Sequence, residues 1–300
     1  MQTPPEESVK TGFVALIGPP NVGKSTLLNC LLGQKISIVS PKPQTTRNRI
    51  MGIVNGPDHQ VILLDTPGLH RAKSPLNQGM VKTALDTLPE VDAVLFMIDA
   101  TASLPKPETS PLRHLRGTDK PVLLAVNKID LLEKEKLLPI LKTYQEMFPF
   151  TAMIPISAKD GDGTATLLHE IMALLPAGPR LYPEDIPTDV TERFIVGEII
   201  REKIFLRTSQ EVPYSTAVAI DAFQEEPARG CVTIHATILV EKASQKGIII
   251  GRKGAMLREI GKAARHEIED LLGLQVMLKL WVKVQKNWSS NQRFLTELGL

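Results

Sequence analysis

One short loop constrains this chain more than any other feature. Gly18-Pro19-Pro20-Asn21-Val22-Gly23-Lys24-Ser25 fits G-x-x-x-x-G-K-[ST], with the apolar run FVALIG before it and the helical stretch KSTLLNCLLG opening from it. Glycines at those places let successive backbone N–H groups turn inward onto phosphate oxygens, and the following helix presents its positive end to the same anion. Lys24 is placed to reach the outer phosphates, and the Ser25 hydroxyl to ligate a phosphate-bound Mg2+. Thr26, next on the helix, is counted with the loop.

A strand-loop-helix opening predicts a doubly wound, mostly parallel α/β sheet, and the sequence continues that way. QVILLD (60–65), AVLFMID (93–99), PVLLAVN (121–127) and AMIPIS (152–157) read as buried strands, with helical periodicity between most of them. Pro176, Gly178, Pro179, Pro183 and Pro187 then crowd a segment that resists helix and strand alike. The expected division is a phosphate-binding domain at 1–178, a linker at 179–190 and a second domain at 191–300. In the second domain the order is helix (193–208), strands (216–223 and 231–241), helix (255–273) and strand (275–285), an α+β pattern.

Composition narrows the class. Apolar residues at 43% and charged residues at 23% exclude a disordered chain. Apolar runs stay well short of the ~18 residues that suggest a membrane span, and the first residues lack the apolar core of a secretory leader. Cys30 and Cys231 have neither metal-type nor disulfide-framework spacing, which fits a reducing cytoplasm.

Three further segments answer to the phosphate loop. Asp65-Thr66-Pro67-Gly68 ends a strand, where the carboxylate can hold Mg2+ through water and the Gly68 N–H can meet a γ-phosphate. Asn127-Lys128-Ile129-Asp130 ends another. The Asp130 carboxylate can accept from both N1–H and the exocyclic amine of guanine, whereas adenine would leave it unpaired. Ser157-Ala158-Lys159 ends the last strand and can offer a backbone N–H to the guanine carbonyl.

In this order and placement the four segments resemble the P-loop GTPases of the translation-factor class, and within them the Era-type ribosome-assembly GTPases. The resemblance implies GTP and GDP as ligands and Mg2+ at Ser25, Asp65 and a switch threonine. For that threonine the family pattern favours Thr46, while the adjacent Thr45 keeps the choice open. Catalysis would fall to Lys24, Asn21, Thr46 and Gly68. Leu69 stands where small signalling GTPases carry a water-orienting glutamine, so unaided hydrolysis should be slow. Asn21 either shapes the loop or helps hold a potassium ion beside the phosphates. An RNA-binding adaptor that binds nucleotide with negligible turnover is the alternative, and an ATP-driven remodeller conflicts with Asp130.

Charge in the second domain is split. Residues 181–241 carry 5 Lys/Arg against 11 Asp/Glu, and residues 242–300 carry 11 against 5. The basic part centres on Ile250-Gly251-Arg252-Lys253-Gly254, followed by a helix bearing Arg258, Lys262 and Arg265. A G-x-x-G turn between helices lets a nucleic-acid backbone approach closely while the two basic side chains neutralise phosphates. This resembles a type II KH domain, with Ile250 to Gly254, Arg258 and Lys262 as the RNA-binding set. KH grooves read about four unstacked nucleotides with few aromatic platforms, in keeping with 4% aromatic residues. The whole-chain resemblance implies the 3′ end of small-subunit ribosomal RNA as partner, small-subunit maturation as role, and a cytoplasmic monomer. Peripheral contact of the basic half with the inner face of the membrane is a weaker expectation. Trp288 is read as packing the last helix rather than touching RNA.

Overall fold

The computed structural model describes residues 8–70, 72, 74–104, 110–226 and 230–297. The chain forms two compact units: Met1–Ser37 with Thr46–Lys73 and Asn77–Asp189, and Ile38–Thr45 with Ser74–Leu76 and Val190–Leu300.

The first unit is built on a sheet in the order β2-β3-β1-β4-β5-β6. Strands β1 (Val9–Ile17), β3 (His59–Asp65), β4 (Ala93–Asp99), β5 (Val122–Asn127) and β6 (Ala152–Ile156) run parallel. Each is apolar nearly throughout, because helices α1 (Lys24–Leu32), α2 (Pro75–Asp86), α3 (Leu137–Met147) and α4 (Thr164–Leu174) cover a sheet of this kind on both faces. Ile17, Ile62, Leu64, Phe96, Leu124 and Val126 make one buried cluster. The chain passes from β1 to β3 on one side and reaches β4 on the other. Loops at the carboxyl ends of β1 and β4 therefore part, which opens the crevice where such sheets bind ligands.

Two strands were not expected. β2 (Ile50–Gly56) pairs antiparallel with β3 at the sheet edge, and β7 (Ala177–Gly178) pairs antiparallel with the start of β1. β2 reads IMGIVNG, whose two glycines break the apolar run that marks the other strands. The proline-rich stretch is irregular but fastened. Buried Gln60 accepts from the N–H groups of Leu181 and Tyr182 at 2.7 and 2.9 Å, and Ile53 N–H donates to Pro187 O at 2.8 Å.

The second unit holds a three-stranded sheet in the order β10-β9-β8. β8 (Thr216–Glu226) is antiparallel to β9 (Cys231–Val240), and β10 (Gln275–Val284) is parallel to β9. Helices α5 (Glu192–Arg207) and α7 (Ala255–Leu272) cover one face. Ile260, Ala264 and Ile268, four residues apart, form the buried stripe of α7. Helix α6 (Ala243–Ile250) precedes the G-x-x-G turn, as a turn between helices requires; its eight residues include Gly247, which hides the helical pattern. Buried charges on α5 are paired within the unit. Arg201 donates to Glu198 and the Thr45 carbonyl, Lys203 to Glu202 and Glu267, and Glu202 accepts the Val39 N–H at 2.9 Å. Burial works to lower the Lys203 pKa, but its two carboxylate partners more than reverse this and hold it above the ordinary lysine value.

After β10 the chain turns at Trp288, ahead of α8 (Gln292–Glu297). Trp288 is fully buried and its indole N–H donates to Ser215 O at 3.0 Å, which makes it a packing residue. Trp288→Ala would leave both a large cavity and an unpaired carbonyl. We expect a loss of about 3–5 kcal/mol on urea unfolding of this unit, against about 1–3 kcal/mol for a Trp288→Phe change that mainly forfeits the hydrogen bond.

Candidate nucleotide and nucleic-acid sites

The loop from Gly18 to Gly23 connects β1 to α1 at the open crevice. Gly23 lies at φ 98°, and a Cβ there would stand 2.3 Å from Asn127 Nδ2, so both conformation and space demand glycine. Its carbonyl accepts the first helical bond, from Leu27 N–H at 2.9 Å. Lys24 is buried, and its ammonium donates to Gly18 O at 3.3 Å and Pro19 O at 3.0 Å. Burial pulls its pKa down to about 8, against the attraction of Asp65. Asn21 is exposed on the loop with φ 64°.

Asp65 closes the other side. It is fully buried, and burial pushes its carboxyl above the usual range while Lys24 and two hydroxyls pull it back. Ser25 Oγ donates to Asp65 Oδ2 at 2.6 Å and Ser37 Oγ donates to the same oxygen at 3.0 Å. Thr46 Oγ1 lies 2.8 Å from Ser25 Oγ, whose single proton is already given to Asp65, so Thr46 is the donor. Thr45 points elsewhere: its hydroxyl contacts Ser40 Oγ at 2.6 Å and donates to Lys42 O at 2.8 Å. Of the two, Thr46 is the one that stands beside Ser25.

Asp65 Oδ1 is buried and accepts no hydrogen bond. An orphan carboxylate oxygen among two serine hydroxyls and a threonine hydroxyl is an all-oxygen set that suits Mg2+. Among the described residues there is no group of three or more His, Cys, Asp or Glu side chains fit to hold a metal. Phosphate oxygens and water would have to complete such a site. Ser37 had no sequence signal, being one small polar residue in the stretch ISIVS.

The rest of the Asp65–Gly68 segment covers the loop. Thr66 donates from its hydroxyl to Leu16 O at 2.7 Å, and Leu69 N–H, just past Pro67 and Gly68, donates to Gly18 O at 2.9 Å. Leu69 itself is buried in the core cluster. His70 meets Gly68 O through Nδ1 at 2.7 Å.

Asn127 braces two loops: its amide donates to Val22 O at 2.7 Å and its Oδ1 accepts Ala158 N–H at 2.9 Å. Lys128 donates to Asp99 at 2.6 Å. Burial raises the Asp99 pKa, and the bonds from Lys128 and Thr101 outweigh it, leaving the carboxyl below its ordinary value. Asp130 is exposed and accepts from Ser157 Oγ at 2.8 Å. Ser157 N–H is given to Asp162 O and Ala158 N–H to Asn127, so of the three motif residues Lys159 has the uncommitted N–H.

In the second unit α6 ends at Gly251, whose φ 70°, ψ 176° is a region almost closed to other residues. A Cβ there would also meet Met256 Cβ at 2.7 Å. The turn to Gly254 leaves Arg252 and Lys253 exposed, with Ile250 half-buried behind them. Beside it, a groove of about 480 Å³ runs between α7 and β10, with Arg258, Lys262 and Arg265 on one wall and Leu278 and Leu280 on the other. The two leucines escaped sequence reading because they look like ordinary strand residues.

Comparison with known proteins agrees with this geometry. A family model described as 50S ribosome-binding GTPase matches residues 13–128, and a KH-domain model matches residues 211–289. GTPase Era of Geotalea uraniireducens is 53% identical, covering 98% of this chain and 99% of its own. GTPase Era of Geobacter metallireducens is 53% identical over 97% of both chains. Among solved structures, Aquifex aeolicus Era bound to GDP and AlF4− superposes with a TM-score of 0.93 at 42% identity, covering 97% of this chain and 99% of that one. An Era complex with MgGDPNP and nucleotides 1506–1542 of 16S ribosomal RNA also gives 0.93, at 43% identity with the same coverage. With a phosphate loop, a buried Mg2+-type oxygen set and a G-x-x-G groove on one chain, and relatives matching from end to end, this chain belongs to the Era family of GTPases.

Proposed function

We propose that this GTPase acts as a switch that binds the 3′ end of small-subunit ribosomal RNA and serves maturation of that subunit. The observation that carries the RNA half is the exposed Arg252-Lys253 pair at the head of a basic groove. The Era complex with 16S nucleotides supports the choice of RNA. We read residues 1–178 as the nucleotide domain, 179–190 as the linker and 191–300 as the RNA-binding domain. The setting is a cytoplasmic monomer, with peripheral membrane contact a lesser reading of the same basic surface. No helix among the described residues is long and apolar enough to cross a membrane.

For the nucleotide, the loop N–H groups from Gly18 to Thr26 cradle the phosphates, and Lys24 turns from its loop carbonyls to the outer ones. Mg2+, held by Ser25, Thr46 and, through water, Asp65, would supply positive charge between the outer phosphates. Gly68 N–H donates to the γ-phosphate. Asp130 takes the two guanine donors, Lys159 N–H meets the guanine carbonyl, and Asn127 keeps these two loops in register. The switch reading is supported by a division of labour between neighbours: Thr46 stands at Ser25, while the Thr45 carbonyl is held by Arg201 of α5.

Asp130→Asn should weaken GTP binding by about 10- to 100-fold, the worth of a charge-assisted hydrogen bond, and should improve binding of xanthosine triphosphate, as competition titrations would show. Unchanged GTP affinity would displace the base pocket from Asp130.

Because Leu69 vacates the water-positioning role, potassium should speed single-turnover hydrolysis more than sodium, and Asn21→Ala should remove the difference. Equal rates in the two salts at saturating Mg2+ would reject the potassium site.

Replacing Arg252 and Lys253 by alanine should lower RNA affinity and make its salt dependence shallower, by roughly 0.7 in log-log slope for each phosphate no longer neutralised. GTP binding, measured in parallel, should be unchanged.

A further inference from the structure

Strand β10 is an edge strand, paired with β9 and, among the described residues, with no strand beyond. Its even-numbered Leu278 and Leu280 line the groove, so its odd-numbered residues stand on the opposite sheet face. There Met277 is 54% and Trp281 49% exposed. Lys279 and Lys283 flank Trp281, exposed and in no ion pair among the described residues. The His235 ring lies beside the indole, centroids 5.3 Å apart. Lysines on an edge strand are a common guard against strand-to-strand aggregation. That accounts for Lys279 and Lys283 but not for an exposed tryptophan and methionine between and beside them, which make an edge more adhesive.

Charge decides what kind of partner fits. At the far side of the same face, Asp221 accepts from Thr237 Oγ1 at 2.7 Å and Glu226 from Thr233 Oγ1 at 3.0 Å. The face is cationic along β10 and anionic along β8. A polyanion is attracted to the first and turned back before the second. The groove lies one strand's thickness away, with no further strand in between.

We propose that RNA seated in the α7–β10 groove continues around the β10 edge, stacking a base on Trp281 and setting phosphates against Lys279 and Lys283. This rests on the RNA-binding reading above and adds a second contact to it. Exposed aromatic platforms flanked by lysines hold single strands without regard to sequence, since every base offers a π-face.

The test uses the full chain and labelled RNAs: one of about six nucleotides, enough for the groove, and the same RNA extended by about eight at its 5′ or its 3′ end. Wild type should hold one extended RNA more tightly than the short one. Trp281→Ala should lose roughly fivefold or more on that RNA, as for one stacked base, and bind the short RNA normally. Lys279→Ala with Lys283→Ala should lower the salt slope on the extended RNA by roughly 0.7 for each phosphate released. Extended RNA should quench tryptophan emission in wild type and not in Trp281→Phe, because Trp288 is buried. Wild-type affinity of these variants for both extended RNAs would overturn the proposal, as would an equal loss on the short RNA. Short-RNA binding retained by the Arg252 and Lys253 alanine variant would undo the groove reading alone, and the Trp281 comparison would still be decided by its own arms.

Discussion

Two opposite charges, Lys24 and Asp65, are buried where the carboxyl ends of β1 and β3 meet, and the first unit is arranged around them. Taking either charge out of water alone would cost several kcal/mol, and removing one would strand the other. Their neighbours follow from that. The parallel register sets Leu16 opposite Asp65, which brings the phosphate loop over the carboxylate. Ser25 and Ser37 satisfy one of its oxygens, and the second has no protein partner. Lys24, for its part, is held by loop carbonyls, weaker acceptors than phosphate. Both halves of the pair are better completed by a metal-bound phosphate than by protein, which is a physical reason for the site to bind one.

The motifs were legible because their chemistry tolerates few residue types. Gly23 is forced by φ and by Asn127, and Asp65 and Asn127 each end a strand whose apolar run marks its own limit, with Asp130 in the turn just beyond. Residues that only support these were not legible. Ser37 reaches Asp65 across 28 positions, and nothing local to ISIVS says so. Ala158 illustrates a subtler limit: its motif marks the loop, yet the fold gives its N–H to Asn127, which no local pattern announces. The same holds for Thr45 and Thr46, identical in type and adjacent, which differ only in what the fold sets before them.

In the second unit the long amphipathic α7 and the alternating β10 were plain from period alone, whereas α6 was hidden by its length and its glycine. Part of the charge in the second unit is consumed internally: Glu198, Glu202 and, from α7, Glu267 neutralise Arg201 and Lys203 along a helix that is largely buried. Buried pairs of this kind add little net stability but penalise any other arrangement, since breaking one leaves an uncompensated charge. The basic residues of 242–300 behave differently. Arg252, Lys253, Arg258 and Lys262 are exposed, which leaves their charge to act on what approaches from solution.

Leu69 shows how packing limits chemistry. It is 3% exposed and shares a cluster with Ile17, Leu64 and Phe96, and its N–H is bound to Gly18 O. Swinging that side chain toward the phosphates would give up buried apolar area and gain no group able to hold water. His70 donates through Nδ1 to Gly68 O, which ties its ring to the backbone of the same loop. What remains near a γ-phosphate is electrostatic: an ammonium, backbone N–H groups and the positive end of α1, all of which stabilise developing negative charge and none of which activates water.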